Sequence, residues 1–155
     1  MRGRPELIAE IVTKLEARME CTLPEWIQQA WQLWKADLVM LTGRRPEAIT
    51  IARTAVSRFG PGPLVMSFVG AFDRWLAVCS TTEAERESAR QVIADHLSRL
   101  TDFDALDQIE ILCGAMHLAK SGVERMEIEK ILAERVSQAS PGVPVLLRRL
   151  EFLPN

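Results

Sequence analysis

The chain has 155 residues, 48% of them hydrophobic, enough to bury a core without disulfide or metal staples and too apolar for a disordered tail. Nineteen basic and 21 acidic residues leave a net charge of -2, which excludes a strongly electrostatic footprint for nucleic acid. No apolar run approaches the roughly 20 residues that span a bilayer, and the first residues lack the apolar segment of a secretory signal, so the expectation is a cytoplasmic protein.

Taken in chain order, Leu7, Ile8, Ile11, Val12, Leu15 and Met19 share one face of a helix over residues 5–20 that Pro5 can open. Thr22 to Glu25 reads as a capping box leading a second helix that stops at Gly43. Pro46 opens a third, with Ile49, Ala52, Val56 and Phe59, which ends at the breaker run Gly60 to Pro63. Residues 24–59 therefore form one hairpin.

The pattern recurs. An apolar helix from Leu64 to Cys79, caps at Ser80 to Thr82, and an amphipathic helix from Glu83 make a hairpin over 64–100. Asp104 to Lys120, a stop at Ser121 and Gly122, and a helix from Glu124 with Met126, Ile131, Leu132 and Val136 turned inward make a third over 104–138. Pro141 to Pro144 interrupt the chain before a last helix over 145–153. Val and Ile recur at helical spacing and Tyr is absent, so the fold class is all-α and the whole chain is read as a single helical-repeat domain. The hairpins open about 40 residues apart, the period of a helical solenoid in which stacked neighbours complete each other's core.

The chemistry-bearing residues are few. Cys21, Cys79 and Cys113 are widely spaced in apolar stretches and read as reduced, buried thiols. Cys113 and His117 have the i, i+4 spacing of metal ligands, but His96 is the only other histidine and no carboxylate cluster joins them, so they are read as core and no metal or other cofactor is expected. No nucleophile has a base and an orienting group beside it, and the Gly60 to Pro63 run has prolines where a phosphate loop needs N–H donors; no catalytic residue is assigned and no enzymatic activity is expected. The alternating charges from Glu83 to Arg90 read as a solvated face. Trp26, Trp31 and Trp34 suit a core or an interface, with core the commoner use. Asp37 falls in the apolar arc with Trp26, Ala30 and Leu41, so it either pairs with an Arg or faces a groove.

From Trp31 to Pro61 the chain resembles a tetratricopeptide repeat, with small Ala36 where two helices cross, Gly43 in the turn, Ala48 and Ala55 on the second helix and Pro61 as terminator. Ala71 in the second hairpin and Ala115 and Gly122 in the third recover parts of the pattern, while Glu127 and Glu134 replace small residues. The longer period is similar to the divergent repeats of maltose-activator-type bacterial transcription regulators. The resemblance implies a right-handed stack of helix-turn-helix hairpins whose first helices line a concave face. It assigns partner-binding roles to Leu33, Asp37 and Met40, to Phe68, Phe72 and Trp75, and to Ile109, Leu112 and Met116. Such a groove is apolar with one acidic member and suits a partner helix or peptide carrying a basic residue. The expected function is a non-catalytic protein-interaction scaffold, as the regulatory segment of a signal-responsive transcription regulator. The alternatives are a small secretion-type chaperone and a small-effector sensor. The partner is another protein or peptide, without direct nucleic-acid or membrane contact. The half-repeat at each end, and a last helix carrying Val145, Leu146, Leu147, Leu150, Phe152 and Leu153, suggest a piece of a longer protein or a protomer that self-associates through its C-terminal helix.

Overall fold

A computed structural model describes residues 5–18, 24–59 and 68–149. Every regular element among them is helical: α1 (Pro5–Arg18), α2 (Glu25–Leu41), α3 (Arg45–Phe59), α4 (Val69–Cys79), α5 (Glu83–Ser98), a 3-10 turn (Leu100–Asp102), α6 (Ala105–Leu118), α7 (Gly122–Gln138) and α8 (Gly142–Arg149). The expected all-α class is what the chain adopts. The chain divides into two compact units, Met1–Gly60 and Pro61–Asn155. Cys21, the Thr22 end of the expected capping box, the Gly60 to Pro63 breaker and the Leu150 to Leu153 end of the last helix lie outside the described residues.

In the first unit α2 and α3 form a hairpin, and α1 packs on α2. The turn is fixed by Gly43, whose φ of 81° is the left-handed conformation that glycine adopts without a Cβ penalty; its N–H bonds the Met40 carbonyl. Ala36, Ala48, Ala52 and Ala55 are all buried, so small side chains occupy the hairpin interior where α2 and α3 meet. α2 begins at Glu25 with Pro24 as its N-cap, a residue that supplies no side-chain cap.

The second unit contains α4 to α8. α4–α5 and α6–α7 are joined by three-residue connections, and each pair packs together. Sequence-readable caps start three of the helices: Thr82 and Glu85 form the full capping box of α5, Asp104 accepts from Leu106 and Asp107 N–H groups at α6, and Ser121 accepts from Glu124 N–H at α7. Ser121 and Gly122 thus begin α7 and do not end α6, and α7 starts two residues earlier than expected. The α7 register also differs from expectation. Ile128, Leu132 and Val136, at i, i+4 and i+8, form the stripe packed inward. Met126, 70% exposed, lies about 200° from Ile128 on the helix, and Ile131 is also exposed.

The closest packing in this unit joins α4 to α6, not the members of a hairpin. A Cβ built on Gly70 would stand 2.7 Å from the Asp107 Cα, and one on Gly114 would stand 2.9 Å from the Asp73 carbonyl oxygen. Backbone therefore touches backbone at two points along one seam. Because Gly70 meets Asp107 and Asp73 meets Gly114, contacts advance together along both chains and the helices run parallel. Around the seam, Val69, Ala77, Ile93, Phe103, Ile111 and Leu118 form one apolar cluster, and Ile109, Leu112, Cys113, Met116, Leu132 and Leu147 form another.

Candidate functional site

The seam that carries the core also carries the second unit's charges. Asp73, Arg74, Asp107 and Glu110 are buried at 0%, 1%, 3% and 7% exposure, values that ionisable side chains reach only when held by partners. Arg74 of α4 reaches across to Glu110 of α6, with Nη2 at 2.9 Å and Nε at 3.1 Å from the same carboxylate oxygen. Its guanidinium also lies 5.7 Å from the Trp75 ring centroid. Asp73 Oδ2 lies 2.7 Å from His96 Nδ1 on α5, and His96 meets the Phe103 ring edge-on. Asp107 Oδ1 accepts a hydrogen bond from Gly70 N–H at 2.9 Å, capping the first turn of α4, whose N-cap residue Phe68 supplies no side-chain cap.

Titration follows from this burial. Desolvation raises the Asp73 carboxyl above its ordinary value against the opposing His96 hydrogen bond, while that same hydrogen bond raises His96, so the two titrate as a coupled pair. Burial pushes Asp107 up to about 7, with the Gly70 N–H as the opposing influence. Burial likewise pushes the Cys113 thiol up to about 12, leaving it protonated and unreactive, and Cys79 is a second buried free cysteine. His117 is exposed and Cys113 is core, and among the described residues no cluster of three or more His, Cys, Asp or Glu side chains forms a metal site.

The nine residues expected on a concave groove are mostly interior. Leu33, Met40, Phe72, Trp75, Ile109, Leu112 and Met116 are all buried, and Asp37 and Phe68 are half-buried. Of these, Ile109, Leu112 and Met116 belong to the α6–α7–α8 core, while Phe72, about 200° from Gly70 on α4, is buried on the side of that helix away from the seam. Met116 still forms part of the wall of a cleft of about 330 Å³, with Leu132, Ala133 and Val136 beside it and Glu129 and Arg148 at its rim. A second cleft, of about 300 Å³, lies over Ile93, Leu97, Ala115 and Ile128.

The charged face of α5 has a definite task. Arg86 and Arg90 donate to the His117 and Leu118 carbonyls, closing the C-terminal end of α6, while Arg90 pairs with Glu83 and Glu87, and Lys120 joins Glu87. Alternating charge along one helix signals exposure but does not reveal acceptors about 30 residues away. The seam residues had a local signal of their own: Asp73 and Arg74 interrupt the apolar run Val69 to Cys79, and glycines stand inside two helices.

In the first unit the exposed apolar side chains stand out. Leu7, Ile11 and Leu15 form an i, i+4, i+8 stripe on α1 at 53%, 41% and 38% exposure, and Trp26 and Trp34 on α2 are 43% and 49% exposed while Trp31 is core. Lys35 of α2 pairs with Glu16 of α1, tying the two helices that carry these residues. No helix among the described residues is long and apolar enough to cross a membrane. No family model, curated protein or solved structure matches the chain.

Proposed function

We propose that the chain is a non-catalytic protein-interaction module of tetratricopeptide-like hairpins, and that its partner docks on the exposed apolar face of the first unit. The observation that carries this reading is the exposure of Leu7, Ile11, Leu15, Trp26 and Trp34 within about 30 residues, where a 60-residue unit has few apolar side chains to spare. Exposed tryptophans are costly to hydrate and are the side chains that most often anchor interfaces. A stripe at i, i+4 and i+8 suits an amphipathic partner helix.

The repeat reading is supported by the parallel packing of α4 on α6, the first helices of successive hairpins, by the buried alanines between α2 and α3, and by the Gly43 turn. The ionisable groups favour a scaffold: Asp73, Arg74, His96 and Glu110 are spent on joining helices. Burial of the groove positions weighs against a secretion chaperone that holds its partner there. The regulatory segment of a signal-responsive cytoplasmic transcription regulator is the setting we favour, in keeping with two buried free thiols.

The test compares immobilised full-length wild type with Trp34→Ala in extracts of the native organism, with quantitative identification of retained proteins. The reading expects a partner whose capture falls roughly tenfold or more in the variant, with the melting temperature held within about 2 °C. Equal capture by both proteins removes the first-unit face from consideration.

A further inference from the structure

Three carboxylates and one guanidinium, that of Arg74, are buried at the α4–α6 seam, with half-buried His96 reaching it from α5. Glu110 takes Arg74 and Asp73 takes His96, which leaves Asp107 with the backbone N–H of Gly70 on one oxygen and no partner on Oδ2. Its other charged neighbours are acidic: Asp104 one turn earlier on α6, Glu110 one turn later, and Asp73 on α4. From α5 the titratable group at the seam is His96, bound to Asp73 with Asp95 and Arg99 beside it, and α7 presents apolar Ile128 and Leu132 to the α6 core. An ionised Asp107 would thus be a third negative charge with no cation assigned to it, in a seam closed by backbone contact at Gly70.

We propose that the seam is a proton-operated joint: Asp107 carries a proton on Oδ2 while the first turns of α4 and α6 are closed, and releasing that proton to solvent opens the Gly70–Asp107 contact. Opening lets water reach the new carboxylate, which relieves the burial cost and frees the first turn of α4 from its only described side-chain cap. The Gly114–Asp73 contact lies one turn further along α4 and seven residues further along α6, so the opening is confined to the helix starts. Asp107 titrating at about 7 places this change at neutral pH. The sign follows from the raised value: the folded chain binds the proton more tightly than the unfolded one. The stability this proton contributes is therefore complete below the ordinary carboxylate value of 3.8 and is lost as pH rises towards about 7. Asp73 and His96, both raised, act in the same direction.

The test is an NMR titration of the full-length protein from pH 5 to 9, following the Asp107 carboxyl carbon and the Gly70 amide. The joint requires a carboxyl midpoint near 7. Protection of the Gly70 amide from hydrogen exchange, corrected for the intrinsic pH effect, should fall roughly tenfold or more through that midpoint. Asp107→Asn keeps an oxygen acceptor for Gly70 and cannot ionise, so its Gly70 protection should be independent of pH. A wild-type midpoint below about 5 overturns the proposal, as does Gly70 protection that ignores pH, and both are read without any variant. Asp107→Asn that folds and keeps the wild-type pH dependence overturns it too.

Discussion

Phe72→Ala is expected to cost the protein roughly 3 to 5 kcal/mol of stability, read as a lowered urea midpoint by far-ultraviolet circular dichroism. The ring is 1% exposed on α4, and its neighbour Trp75 is fully buried. Removing the ring takes away the hydrophobic transfer energy and leaves a cavity in a close-packed interior that relaxes only in part. Trp75→Ala should fall in the same range. A loss below about 1 kcal/mol for Phe72→Ala would put the ring on the surface. That outcome would restore the concave groove as the site of partner binding.

Arg74→Ala is the second change with a large expected effect. It removes both guanidinium hydrogen bonds from Glu110, whose carboxylate is buried, so the cost should be roughly 3 to 5 kcal/mol by chemical denaturation. Most of that figure is the penalty of a stranded charge and not the worth of the pair. The double change Arg74→Met with Glu110→Leu should therefore recover most of the loss, since apolar residues of similar size need no solvation. If the double variant is as unstable as the sum of the singles, the two residues act independently and the ion pair contributes no coupling.

What was legible in the sequence was local. Helix periodicity, the Gly43 turn and the cap at Thr82 depend on residues within one or two turns of each other, and the helices lie near where those signals place them. The α7 register was misjudged because apolar Met126 and Ile131 were counted as inward, while the core is reached only by the Ile128, Leu132, Val136 stripe. The seam was not legible because its partners are distant: Arg74 and Glu110 are 36 residues apart, Gly70 and Asp107 are 37, and a pairing of that range leaves no periodic trace. The resemblance supplies which positions face a partner, but how deeply each packs depends on neighbours distant in the chain, as where Ile109, Leu112 and Met116 meet Leu132 and Leu147. Asp37 drew attention as the misplaced carboxylate, while the fully buried ones were Asp73 and Asp107, in helices whose overall apolar character hid them.

The closed, parallel α4–α6 seam is the claim on which the core, the charge pairing and the proton-operated joint all rest. An isotope-edited nuclear Overhauser spectrum at pH 6 tests it directly, because backbone contact brings protons of the two helices within about 4 Å. The account predicts strong cross-peaks from the Gly70 α-protons to Asp107 Hα and from the Gly114 α-protons to the Arg74 amide. Their absence in a spectrum where the neighbouring helical cross-peaks of α4 and α6 are assigned would mean that side chains or water separate the helices, and would contradict the seam.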